Sequence, residues 1–355
     1  GDHSTTLSVY QGLRQLIERW QDLPRTTIAV DVTGGLKPMS VGVEKAAHLL
    51  ELATLYIESD YGASPDGRFG PIPGTQRLVL PEDPYLVFGD LEAAEARRLY
   101  SSHDYAGAQR LYVTLAARVP PPASTRYATL AELAGAYAAW DAFDLPEAHA
   151  TLARLREMDA REQWAPDALA RIEWQHAALA RLNSAHVRLN DTPFAILAND
   201  PEAVLALLGS LYANALRREA QGRYDVAALL LYRCLELMSQ RRLAGLGIDA
   251  DAERITLMKG YGLLETRRDP LVWSPAGSAQ GQPRLLDRIR ATTAARNKSM
   301  LAHGFRLIRR EQEYLPFPAV VDDVFDRFFA AEQVSVHLGL ERAAWHAMFQ
   351  AAELE

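Results

Sequence analysis

From Asp90 to the end of the chain, apolar residues recur at helical spacing in one segment after another. Each such helix carries an apolar stripe that must be buried, so this part of the chain can only become a body of packed helices. The segments are Leu91–Ser101, Tyr105–Arg118, Thr125–Trp140, Pro146–Met158 and Ala165–Leu189. Within them, Asp104-Tyr-Ala-Gly-Ala-Gln and Asp144-Leu-Pro-Glu-Ala-His lie 40 residues apart and faintly repeat a helical hairpin. The repeat is too imperfect for a solenoid. A second helical block starts near Pro201, with Leu207–Glu219 and Tyr224–Leu243 as a pair. A long connection through Pro270, Pro275, Gly277, Gly281 and Pro283 leads to a helix over Arg284–Arg310, broken near Arg296–His303 and packed on that pair. Ala319–Leu338 and Glu341–Ala351 complete the block.

The first 89 residues have a different grammar. Val9, Tyr10, Leu13, Leu16, Ile17 and Trp20 make an amphipathic helix. Thr26–Val32 reads as a buried strand, Met39–Leu52 as a helix opened by Pro38, and Ala53–Glu58 as a second strand. A strand–helix–strand unit of this kind builds a parallel sheet, whose ligands sit at the carboxyl ends of its strands. Thr33-Gly34-Gly35-Leu36-Lys37 occupies that place. Two glycines, a hydroxyl and a lysine ahead of a helix N-terminus suit a phosphate. A plain strand-to-helix connection uses the same residues, and the pentapeptide alone leaves both readings open. Residues 61–75, rich in Gly and Pro, read as an irregular loop. Gln76–Leu80 and Tyr85–Phe88 read as a peripheral hairpin across Pro81–Pro84. The opening Gly1-Asp-His-Ser-Thr-Thr has neither a basic nor an apolar leader, and an upstream part of the natural protein is expected to be missing.

Composition narrows the classes. With 48% hydrophobic and 23% charged residues in 355, the chain is an ordinary globular protein, and no run of about 18 apolar residues spans a bilayer. The single cysteine, Cys234, excludes an internal disulfide, fits a reducing cytoplasm and reads as a buried small hydrophobe. The nine histidines include no His-x-x-x-His pair, so metal dependence is not indicated.

Chemistry concentrates in Thr293-Ala-Ala-Arg296-Asn297-Lys-Ser-Met-Leu-Ala-His303-Gly304. On a continuous helix Arg296 and His303 would leave one face, roughly 10 Å apart along the axis. A permanent cation beside a group titrating near neutral pH is the minimum equipment for cleaving RNA without a metal. Arginine followed by histidine after four to six intervening residues is common: Arg98/His103 (with Arg97 as a second start), Arg171/His176 and Arg181/His186 also fit. Only Arg296 is followed by Asn, and only His303 lies in Leu-Ala-His-Gly. Between Gly281 and Gln312 stand eight basic residues (Arg284, Arg288, Arg290, Arg296, Lys298, Arg306, Arg309, Arg310) against Asp287 and Glu311. That is a local +6 in a chain of net charge −7. Either a polyanion docks there, or the island is a solvated face paired with acids from elsewhere.

Taken together, the motifs resemble a known family. Asp31-Val-Thr-Gly-Gly-Leu-Lys-Pro-Met-Ser40 is similar to the Thr-Gly-Gly-Thr-Lys signature of CARF (CRISPR-associated Rossmann-like fold) domains, with Leu36 in place of the second threonine. The stretches Asp90–Ala108 and Gly222–Gln240 resemble one CARF–HEPN subfamily, and Arg296-Asn297-x5-His303 matches the Arg-x4-6-His motif of HEPN ribonucleases. The earlier strands and first ligand loop of a CARF sheet are not visible before residue 26. The resemblance implies a mixed fold: a Rossmann-like α/β CARF segment, incomplete at its N-terminus, over residues 1–89, a mainly α-helical linker over 90–200 and an α-helical HEPN domain over 201–355.

The resemblance further implies an accessory endoribonuclease of type III CRISPR antiviral defence. It would be cytoplasmic and homodimeric, need no cofactor or metal, and be switched on by a cyclic oligoadenylate. Single-stranded RNA would be cut by attack of a ribose 2′-hydroxyl on the adjacent phosphorus. His303 would handle the proton, Arg296 the phosphoryl charge, Asn297 the positioning and Lys298 the RNA backbone, with Glu236 buttressing Arg296. Thr33, Gly34, Gly35 and Lys37 would bind the activator, and slow cutting of that ligand at the CARF cleft is a further expectation. The alternative is a nucleotide-sensing and dimerising protein of the same architecture without catalysis. A helical-repeat scaffold and an enzyme acting on DNA are the remaining rivals.

Overall fold

The computed structural model describes residues 6–34, 37–63, 67–81, 87–158, 164–273 and 283–352. It divides into two compact units, Gly1–Asp90 and Leu91–Glu355.

In the N-terminal unit, α1 (Thr6–Arg19) leads to β1 (Ala29–Asp31), α2 (Lys37–Leu49) and β2 (Ala53–Glu58). β1 and β2 pair in parallel, Ala29 opposite Ala53 and Asp31 opposite Leu55, as the strand–helix–strand pattern requires. β1 is shorter than its β-branched run, and only Val30 turns toward a small core of Ala47, Leu50 and Leu52 with Tyr10, Leu13, Ile17 and Ile28. The buried strand expected over Thr26–Val32 is therefore half-exposed, because helices cover one face alone. Gly42 lets α1 approach α2, since a Cβ there would press on the Thr6 backbone.

Among the described residues the hairpin expected over Gln76–Phe88 is not seen. β5 (Arg77–Val79) pairs antiparallel with β2, giving the order β1-β2-β5, while Val87 and Phe88 have helical backbone and residues 82–86 lie outside the described set. Conversely, the segment read as an irregular loop contains a hairpin of β3 (Tyr61–Ala63) and β4 (Phe69–Pro71), joined across the strands by the stacked rings of Tyr61 and Phe69.

The second unit is mainly helical among the described residues: α3 (Asp90–Ser101), α4 (Tyr105–Arg118), α5 (Ala123–Asp141), α6 (Leu145–Arg156), α7 (Pro166–Asp191), α8 (Pro193–Asn199), α9 (Pro201–Ala220), α10 (Tyr224–Gly245), α11 (Leu257–Thr266), α12 (Leu285–Asn297), α13 (Pro316–Ala331), α14 (Val334–Leu338) and α15 (Arg342–Met348). The faint 40-residue repeat has a physical basis. Asp104 and Asp144 each cap the following helix, through the N–H of Gly107 and of Glu147, after a residue of positive φ, His103 or Phe143. Helix α11 falls in the stretch read as a connection.

One core runs from Ala93 to Ala352. The C-terminal residues tie its ends together. Tyr100 donates its hydroxyl to the Ala352 carbonyl, the Ala352 N–H donates to Tyr137, and the Gln175 amide donates to the Met348 and Gln350 carbonyls, all at 2.7–2.8 Å. Asp141 of α5 receives the buried Arg217 and the half-buried Arg218 of α9. Cys234 is fully buried, and burial pushes its thiol well above the ordinary range. Among the described residues no single helix is long and apolar enough to cross a membrane.

Candidate active site

Helix α12 buries Leu285, Ile289, Thr292 and Thr293, positions at helical spacing, against α10, α11 and α13. It ends at Asn297, its thirteenth residue. Beyond it the chain closes a tight ring. The N–H of Ser299 donates to the Arg296 carbonyl, that of Gly304 to Ser299, that of Met300 to Arg306 and that of Arg306 to Lys298, at 2.9–3.1 Å. Gly304 is what permits the ring, because a Cβ there would collide with the Lys298 backbone carbonyl.

The placement of Arg296 and His303 on one helical face is thus corrected, and the break read near the motif is found at Asn297. Arg296 occupies the last turn of α12, where a cation also suits the helix dipole, and His303 sits exposed on the ring one residue before Gly304. The two groups belong to one hydrogen-bonded loop closure rather than one helical stripe.

Arg296 is half-buried. Its guanidinium carbon lies 4.1 Å from the centre of the Tyr232 ring on α10, and its Nη1 donates to Asn297 Oδ1 at 3.1 Å. Its Nε is buried without a hydrogen-bond partner. Glu236, one turn beyond Tyr232, bonds instead to Arg233 at 3.2 Å. Burial, followed by the charge of Glu236, raises the Tyr232 hydroxyl above its ordinary pKa. Sequence reasoning missed Tyr232 because nothing in Leu-Tyr-Arg-Cys marks it, although it precedes Glu236 by four residues and so shares its helix face.

The basic island divides in two. Arg284 pairs with Glu265 of α11, Arg288 with Asp323 of α13, and Arg290 approaches Asp287. Arg327 joins Arg288 on Asp323, and although burial pushes that carboxyl up, the two guanidiniums hold it below its usual range. Around the ring, Arg296, Lys298, Arg306 and Arg310 have no carboxylate partner among the described residues. The reading as a face paired with acids holds for Arg284 and Arg288, while the cations of the ring stay unpaired among the described residues. In the other arginine–histidine pairs the arginines have partners among the described residues. Arg98 is bound by Glu95, Arg171 by the Ala351 carbonyl and Arg181 by Glu202, while His103 bonds Tyr105 and His176 stacks on His149.

In the other unit, Thr33 and Gly34 follow the carboxyl end of β1. The Thr33 hydroxyl accepts from the Ile57 N–H at 2.7 Å, and the Thr33 N–H donates to Asp31 at 2.8 Å. Hydrogen bonds from the Thr33 hydroxyl and N–H hold the Asp31 carboxyl below its ordinary pKa. Ser40 of α2 donates to the Gly34 carbonyl at 3.3 Å, and Lys37 is the exposed first residue of α2. Gly35, also expected in this ligand loop, lies outside the described residues, as does Leu36. Among the described residues no three His, Cys, Asp or Glu side chains group as a metal site.

Comparison with known proteins assigns both halves of the helical unit. A family model described as the Csm6 6H domain matches residues 88–181, and one described as the Csm6 HEPN domain matches residues 197–268. The second match ends before α12. A CRISPR system endoribonuclease Csm6 from Thermus thermophilus is 31% identical over 253 residues, which cover 69% of this chain and 51% of that protein. The chain thus spans about half the length of this relative.

Proposed function

The chain belongs to the CRISPR-associated CARF–HEPN proteins of the Csm6 kind, and on that premise we propose that it is a metal-independent endoribonuclease of single-stranded RNA. The observation that carries the proposal is the Arg296 guanidinium. It is held on an aromatic face with no carboxylate to neutralise it, in the turn that leads to the ring presenting His303.

In this reading a ribose 2′-hydroxyl attacks the adjacent phosphorus and the 5′-oxygen leaves, giving a 2′,3′-cyclic phosphate and a 5′-hydroxyl. His303 moves the proton and Arg296 stabilises the charge growing on the phosphoryl oxygens. Asn297 fixes the Arg296 fork through its 3.1 Å bond, and Lys298, exposed beside it, binds the RNA backbone. One chain supplies one arginine and one histidine to this site, so two copies line a shared cleft. A cyclic oligoadenylate at Thr33, Gly34, Gly35 and Lys37 shifts the population of the dimer toward its competent form, in type III CRISPR defence in the cytoplasm.

The test is RNA cleavage in EDTA, with and without cyclic tetra- and hexa-adenylate. Cleavage should persist in EDTA and rise with one of the rings. Arg296→Ala and His303→Ala should each slow it by ~100-fold or more. Variants that cut as fast as the parent contradict the assignment, and a parent that cuts nothing under any of these conditions leaves the sensing role alone.

A further inference from the structure

We propose that Tyr232 is a positioning residue for the cleavage reaction: its ring face holds the Arg296 guanidinium in place while leaving that charge free for the substrate phosphate. The inference rests on the ribonuclease reading above and adds a residue to it.

Elsewhere the protein fixes several buried or half-buried arginines with carboxylates. Arg217 and Arg218 converge on Asp141, and Arg241 and Arg242 on Glu332. A carboxylate orients a guanidinium well but offsets part of its charge toward a further anion. An aromatic face attracts a cation through its quadrupole and leaves the net charge intact. Arg296 is treated in this second way. Its guanidinium carbon stands 4.1 Å over Tyr232, one amino group is held by the neutral Asn297 amide oxygen, and Nε is buried and unbonded. The nearest acid on the same face of α10, Glu236, is bonded to Arg233 at 3.2 Å. Tyr232 is half-buried in a long, well-packed helix, so it offers a rigid platform to a residue in a terminal turn.

Substitutions at 232 separate the ring face from the hydroxyl and from mere packing. In saturating RNA and EDTA, Tyr232→Leu should lower kcat by ~10-fold while KM stays within about twofold, because the lost interaction acts on Arg296 in the transition state. Tyr232→Phe keeps the face and should stay within about twofold of the parent. A pentafluorophenylalanine at 232 keeps the shape but reverses the ring's quadrupole, and should fall with the leucine variant even if that variant folds poorly. In an Arg296→Ala background, Tyr232→Leu should cost nothing further. The proposal is overturned if the phenylalanine variant is as impaired as leucine, if the fluorinated ring is fully active, or if the leucine effect persists without Arg296. A parent that does not cleave RNA removes the ribonuclease reading and this role with it, whereas a cleaving parent with an indifferent position 232 removes this role alone.

Discussion

At the scale of single residues, what separates Arg296 from the other arginines followed by a histidine is the partner each has found. Arg98 and Arg181 are neutralised by carboxylates and Arg171 is spent on a backbone carbonyl, so none retains both freedom and charge. Another buried group shows how strongly surroundings set behaviour here. His346 is enclosed by Tyr212, Phe325 and Trp345, its Nε2 has no partner, and burial, aided by Arg342, pushes its pKa down to about 3. Between that value and the ordinary 6.5 the unfolded chain binds a proton there that the native protein refuses. The native state therefore loses stability as pH falls through that window. His346→Phe should suffer a smaller drop in melting temperature between pH 7.5 and pH 5.5 than the parent does. Equal drops would contradict the assignment of this slope to His346.

At the scale of elements, the decisive event is the ending of α12. The sequence suggests a helix reaching Arg310 with a break near Arg296–His303; the backbone leaves the helix at Asn297, folds back on Lys298 and does not resume it before Arg310. Gly304→Ala should force the ring open, since the new methyl meets a backbone carbonyl that cannot move away independently. RNA cleavage should fall at least ~10-fold, while the melting temperature shifts by only a few degrees, because the ring is largely exposed and little core depends on it. Full activity in that variant would show that loop closure is dispensable.

The same contrast explains what could be read in advance. Helices that bury a stripe, such as Tyr105–Arg118, were legible to the residue, and so was the strand Ala53–Glu58. The Arg296 and His303 pair was legible as residue types, but not the shape that joins them. A loop closed by backbone hydrogen bonds around one glycine leaves no periodicity to detect. Tyr232 was invisible for a different reason: its role depends on a ring face meeting a residue sixty-four positions away, which helical spacing does not encode. The β3–β4 hairpin escaped because each strand is three residues long and interrupted by glycine or proline.

At the scale of the whole molecule, the helices of the 6H and HEPN matches are not independent bodies. Their shared core and the C-terminal residues clasped by Tyr100, Tyr137 and Gln175 make Leu91–Glu355 one unit. The Tyr232 ring under Arg296 packs against that shared interior, so the terminal turn of α12 rests on a continuous packed body. The central claim, that this unit breaks RNA through the substrate's own 2′-hydroxyl, is tested most directly by one substrate change. An RNA that the protein cuts at a single site is compared with the same RNA carrying 2′-deoxyribose on the 5′ side of that bond, in EDTA, with the product ends analysed. The account predicts a 2′,3′-cyclic phosphate from the first and no cleavage at the modified bond of the second. Cutting of the deoxy substrate at the parent rate would contradict it.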